Sequence, residues 1–310
     1  MRLATYKKDN EGSTSWGVEE TGGTVIDGPA LYPTRDEAPA TLLELIQGGP
    51  DALSRLRSLV AASDPETSMK VLDPVLLAPL KPGKIIGVGL NYVDHVAESS
   101  RSLDTDASLP TRPVLFSKPG TAVVGPNGPI LHNSELTNQL DWECELAVVI
   151  GMEARNVAVE DALDYVFGYS IINDISARDQ RRSGQWFFSK GQDSYAPLGP
   201  AIVLRDAVTD PHDLDLSLLV NGVQMQNGNT RDMLFKIPQL IADITSGMTL
   251  EPGDVIATGS PQGVGAAMDP PQYLQPGDEV VATISGIGSL TNYVTAVTAP
   301  INHVTEVAAQ

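Results

Sequence analysis

The chain has 310 residues, 42% of them hydrophobic, which allows one large domain or two unequal ones around a real core. Its 39 acidic residues against 20 basic ones leave a formal charge of −19, which disfavours nucleic acid and anionic membrane surfaces as partners. No apolar run suits a transmembrane helix or a secretory leader, and Cys144 stands alone, so the expectation is a cytoplasmic protein without internal disulfides.

Residues 1–76 read as a small N-terminal domain. Segments 2–6 and 23–27 have short-strand character, with a glycine-rich hairpin between them. Segments 41–46 and 51–60 read as helices; in the second, Leu53, Leu56 and Val60 form one stripe. A proline-rich connector through Pro74, Pro79 and Pro82 follows, and residues 77–310 form the larger domain. Nothing before the connector carries evident chemistry.

Residues 84–98 run from a strand through a glycine turn into a short helix. Gly87 and Gly89 hint at a dinucleotide fingerprint, but its third glycine would fall at Tyr92, which prevents the required close packing. His95 and Glu98 are spaced i, i+3 and share a helix face. A carboxylate there orients the imidazole and raises its pKa, which suits a general base; an ordinary surface ion pair has the same spacing.

Residues 141–150 read as a strand, so Glu143 and Glu145 share one face while Trp142, Cys144 and Leu146 share the other. Two carboxylates at the start of a buried strand repel each other unless one is protonated or a cation lies between them. Oxygen-only ligands favour a hard cation; a solvated edge is the alternative. Residues 167–179 form another β-rich run. Asp174 follows four residues suited to a buried strand, as a turn residue or as a ligand at the strand end. Cys144, between the glutamates, is expected to point into the core and be inert.

Helices are expected over 159–166 and 237–244, the second with Pro238 in its first turn. Pro252 with Gly253, and Pro276 with Gly277, fit type II turns before strands. Strands and helices do not alternate regularly, which argues for an α+β fold.

Taken in order, these segments resemble the fumarylacetoacetate hydrolase family. The resemblance runs from about Lys84 to Leu290. It rests on Gly89-Leu90-Asn91-Tyr92 with His95 and Glu98, on Leu115-Phe116-Ser117-Lys118-Pro119, and on Asp141-Trp142-Glu143-Cys144-Glu145. Asn173-Asp174 with Ala177-Arg178-Asp179, Pro197-Leu198-Gly199-Pro200 and Thr258-Gly259 complete it. The resemblance implies a mixed β-sheet roll with a metal at its mouth, behind a small N-terminal α/β region, in a homodimer. It implies Mg²⁺ or Mn²⁺ held by Glu143, Glu145 and Asp174. It also implies a small anionic keto-acid substrate, with His95, Glu98 and Lys190 catalytic and Lys118, Arg178, Gln180 and Thr258 binding substrate.

The expected reaction is hydrolysis of a C–C bond in a 2,4-diketo acid of the acylpyruvate or fumarylpyruvate type, through a metal-stabilised enolate. Oxaloacetate decarboxylation and isomerisation of 2-hydroxyhepta-2,4-diene-1,7-dioate are the alternatives, with a non-catalytic metal-binding protein behind them. The chain departs from the family after Asp179, where one residue normally precedes a glutamine; here Gln180 follows directly, then Arg181. Either Gln180 takes the glutamine's role or Arg181 replaces it, and the second case would favour a dicarboxylate such as oxaloacetate.

Overall fold

A computed structural model describes residues 1–9, 12–20, 22–64, 69–93, 109–181 and 184–297. A 12-stranded mixed sheet is its backbone. Along its main path the order is Lys70–Val71, Val25–Asp27, Thr14–Glu19, Arg2–Lys7, Ala196–Leu204, Val166–Asn173, Cys144–Ile150, Val255–Ala257, Ile85–Gly89 and Val114–Lys118. Most neighbours are antiparallel; Val255–Ala257 runs parallel to Ile85–Gly89. A five-stranded sheet stands beside it, in the order Val223–Asn229, Asp215–Val220, Glu279–Ile284, Gly288–Ala296 and Pro129–His132. This is the α+β architecture expected from the irregular order of elements.

The central strand Cys144–Ile150 is buried along its whole length. Cys144, Leu146, Val148 and Ile150 enter a core shared with the five-stranded sheet and the helix Ile237–Gly247. Ala147 and Val149, on the opposite face, enter a core covered by the helices Leu42–Gln47 and Gly49–Ala62. The alternation expected of a strand therefore holds with both faces dry. Cys144 is fully buried, and burial raises its thiol pKa, which keeps it unreactive.

The structure redraws two local expectations. A strand, Thr14–Glu19, occupies the interval read as a hairpin and pairs with Arg2–Lys7 and Val25–Asp27. Residues 159–165 form a 3₁₀ helix rather than an α-helix. Gly253 and Gly277 take φ of +92° and +100°, as type II turns require. The N-terminal segment is sewn into the main sheet, since Arg2 and Leu3 pair with Val203 and Ile202. Among the described residues, no helix is long and apolar enough to cross a membrane.

Candidate metal centre

Three strand ends bring the acids together. Cys144–Ile150 pairs antiparallel with Val166–Asn173, with Cys144 opposite Asn173 and Glu145 opposite Ile172. Glu143 therefore lies just before one strand and Asp174 just after its neighbour. Two bonds lock them: the Asp174 amide donates to the Glu143 carbonyl at 2.8 Å, and the Glu143 amide donates to Asn173 Oδ1 at 3.0 Å. Glu145 is oriented by the third strand end, where the Gly259 amide donates to its Oε2 at 2.8 Å. One carboxylate oxygen from each of Glu143, Glu145 and Asp174 lies within 4.8 Å of the others, and all three residues are buried.

Three buried cations face these acids. Lys190 Nζ is bound to Asp174 Oδ2, lies 3.3 Å from Glu143 Oε2 and donates to Ser176 Oγ at 2.8 Å. Arg178 reaches Glu143 Oε1 through Nη2 at 2.6 Å and Asp141 Oδ2 through Nε at 2.8 Å. Lys118 Nζ lies 2.6 Å from Asp174 Oδ1 but donates to three backbone carbonyls, those of Ile175 at 3.1 Å, Tyr195 at 2.7 Å and Lys190. An ammonium has three protons. All three are committed, and Asp174 Oδ1 accepts no hydrogen bond although fully buried.

Counting Asp141, four buried carboxylates meet three cations. The uncompensated charge falls on Glu145, which makes no ion pair among the described residues. Burial, then Asp174 and Glu143, push its pKa well above the usual carboxylate range. Burial also pulls down the pKa of Lys118, against the opposing pull of Asp174. Lys190 is likewise lowered by burial, but Asp174 and Glu143 together overcome this, and it stays protonated.

An all-oxygen donor set and a buried acid short of positive charge together fit a hard divalent cation. Glu143, Glu145 and Asp174 are the residues that would hold it.

Phe116 and Trp186 wall the site. Lys190 Nζ lies 4.8 Å from the centroid of the Phe116 ring, Trp186 meets Phe116 edge-on at 5.5 Å, and the Arg181 guanidinium lies 5.2 Å over Trp186. The two glycines of the apparent nucleotide fingerprint make room for these rings. A Cβ on Gly87 would come within 2.1 Å of Phe116, and one on Gly89 within 2.3 Å of Trp186. Close aromatic approach explains both glycines without a nucleotide.

The remaining expected residues are distributed unevenly. Thr258 is fully buried, and its hydroxyl donates to the Leu146 carbonyl at 2.9 Å, a bond that a substrate carboxylate would have to displace. The side-chain amide of Gln180 donates to the Leu136 carbonyl at 2.6 Å. His95 and Glu98 lie outside the described residues. Among the described residues, Asn91 Nδ2 donates to the Thr258 carbonyl at 2.7 Å. Sequence reasoning assigned no role to Asp141, Ser176, Phe116 or Trp186. For Asp141 the available signal was an acid directly before a tryptophan in an otherwise buried run.

Residues 84–295 match the family model described as fumarylacetoacetate (FAA) hydrolase C-terminal, across the sheet and acid cluster described above. The chain belongs to the fumarylacetoacetate hydrolase family. The mitochondrial oxaloacetate tautomerase fahd2 of Xenopus laevis is 39% identical over 297 residues, which span 94% of this chain and 89% of the relative. A fumarylacetoacetate hydrolase from psychrophilic Exiguobacterium antarcticum is 40% identical with a TM-score of 0.81, covering 96% of this chain and 100% of that one. A maleylpyruvate hydrolase from Sphingobium sp. SYK-6, in complex with manganese(II) and pyruvate, is 32% identical with a TM-score of 0.76, covering 96% and 99%. Enzymes of this family use divalent metals, and the triad of Glu143, Glu145 and Asp174 matches that chemistry.

Proposed function

We propose that this enzyme acts on a small 2-oxo acid, and that its reaction is the keto–enol interconversion of oxaloacetate or a similar dicarboxylate. The observation that carries this reading is Lys190, a buried ammonium bound to Asp174 and 3.3 Å from Glu143, kept charged by both. Such a group stabilises an oxyanion that forms beside it. The nearly full-length similarity to a relative named oxaloacetate tautomerase supports the choice of substrate.

When bound, a divalent ion would polarise the 2-oxo group as a Lewis acid. Lys190 then holds a proton close to the C2 oxygen, and Ser176 Oγ fixes its direction. His95, paired with Glu98, is proposed as the base that moves the C3 proton. Lys118 and Arg178 add the positive charge that an anionic substrate needs on a protein of net charge −19. Gln180 and Thr258 are proposed as further substrate contacts, and a homodimer as the working assembly.

The second reading is the hydrolysis of an acylpyruvate-type C–C bond. The maleylpyruvate hydrolase bound to manganese and pyruvate favours it. Decarboxylation of oxaloacetate and isomerisation of a hydroxydienedioate draw on the same enolate.

The test follows the ultraviolet absorbance of enol-oxaloacetate with Mg²⁺, Mn²⁺ or EDTA. Metal-dependent ketonisation is expected, with kcat falling by about 10²–10³ in Lys190→Met. Pyruvate release from acetylpyruvate or fumarylpyruvate, without faster ketonisation, would replace the tautomerase reading with the hydrolase one.

A further inference from the structure

Asp141 is fully buried and lies outside the three clustered acids, and its carboxylate accepts four hydrogen bonds. Its Oδ1 accepts from the amides of Trp142 at 2.8 Å and Gly265 at 2.7 Å. Its Oδ2 accepts from the Ala266 amide at 3.0 Å and from Arg178 Nε at 2.8 Å. Three backbone amides therefore hold this charge in place without help from Arg178, and the carboxylate cannot turn.

This arrangement divides the guanidinium fork of Arg178. Arginine binds a single carboxylate best through two parallel N–H bonds. Here Nε goes to Asp141 while Nη2 reaches Glu143 Oε1, at 2.6 Å. Glu143 Oε2 keeps a longer contact of 3.3 Å with Lys190. A fork seated squarely on Glu143 would engage both its oxygens and neutralise the charge a divalent ion requires.

We propose that Asp141 is a positioning residue that restrains Arg178 from pairing fully with Glu143, and so keeps Glu143 competent to hold a divalent cation. The proposal rests on the metal-holding role given to Glu143 above. Asp141 acts on the metal through Arg178, and its charge matters more than its packing. The substitution Asp141→Asn would remove both the charge and one acceptor, present an NH₂ to Arg178, and free the fork to move onto Glu143.

The experiment measures Mn²⁺ affinity of the purified full chain, by electron paramagnetic resonance of the free ion, with folding checked by circular dichroism. Asp141→Asn is expected to raise the Kd by about 10–100-fold, the range typical of groups that orient a metal ligand. The double variant D141N/R178Q is expected to return to within about threefold of R178Q, because no fork remains to be restrained. A merely structural role for Asp141 would leave the double variant as weak as D141N, and that result would overturn the proposal, as would a folded D141N with unchanged affinity. If D141N does not fold, R178Q alone decides. Affinity equal to or tighter than wild type supports the restraint, and weaker affinity refutes it. E143Q is the control: if it binds Mn²⁺ like wild type, the metal-holding reading itself fails, independently of Asp141.

Discussion

Lys118 and Lys190 sit in one acid cluster, but their bonds give them different work. Lys118 spends its protons on the carbonyls of Ile175, Tyr195 and Lys190, three points on the chain that carries Asp174 and the second lysine. Lys190 spends its own on side chains, those of Asp174, Glu143 and Ser176. Lys118→Met is therefore expected to lose about 3–5 kcal/mol of stability, because it takes one of two cationic partners from buried Asp174 and leaves three carbonyls without their donor. Urea unfolding in EDTA measures this, with Lys190→Met as the comparison. A K118M protein as stable as K190M would show that the carbonyl contacts hold nothing together. Glu143 and Glu145 were legible from alternation along one strand, because a period of two is a local property, and Asp174 only as the polar end of a second β-rich run. Asp141's role was not, since its partners Gly265 and Ala266 come from a loop more than a hundred residues away that no local pattern links to it.

At the level of elements, the helix Ile237–Gly247 shows a second kind of illegibility. The helix and Pro238 in its first turn were readable, but part of its N-terminal capping comes from elsewhere in the chain. The Ile237 amide donates to His212 Nε2 at 3.2 Å, and Gln239 Oε1 accepts from the Lys236 amide at 2.8 Å. Only a neutral imidazole accepts that bond. Burial, opposed by Asp210 and reinforced by Lys236, lowers the His212 pKa below the ordinary histidine value of 6.5. The unfolded chain thus binds this proton more readily than the folded one, so the cap's contribution is fully present above about pH 6.5 and is lost as pH falls toward the depressed folded value. His212→Ala is expected to cost about 1 kcal/mol near pH 7.5. The gap between variant and wild type should shrink as pH falls below about 6.5 in paired urea titrations. A gap independent of pH would remove the imidazole from the cap. Strand Thr14–Glu19 escaped the sequence for a related reason. Its Gly17 is demanded by the Ile26 carbonyl, which would lie 2.1 Å from a Cβ there, so a residue that reads locally as a turn serves a cross-strand contact.

At the scale of the whole molecule, the proposed division into residues 1–76 and 77–310 meets a continuous sheet. Leu3 and Leu42 pack in one core with Ala147, Val149 and Val255, and Leu3 pairs with Ile202. A fragment of residues 77–310 alone would expose that face and the free edge of Ala196–Leu204, an aggregation hazard. It is expected to recover little soluble protein, and co-expression with residues 1–76 is expected to restore it. A monomeric, cooperatively unfolding 77–310 fragment would instead establish two independent folding units.

Strand Arg2–Lys7 also ties the architecture to the timing of synthesis. Thr5, Tyr6 and Lys7 find partners in Val75–Leu77, but Arg2 and Leu3 must wait for Val203 and Ile202, roughly 200 residues further along. At ribosomal rates of about 5–20 residues per second, that interval is on the order of 10–40 seconds. For that time the nascent N-terminal meander carries half of an unpaired strand edge, and the core beneath Leu3 lacks its later walls. The amide of Gly259, which orients Glu145, emerges later still. The contact that orients the third acid is therefore made only after most of the chain has been synthesised.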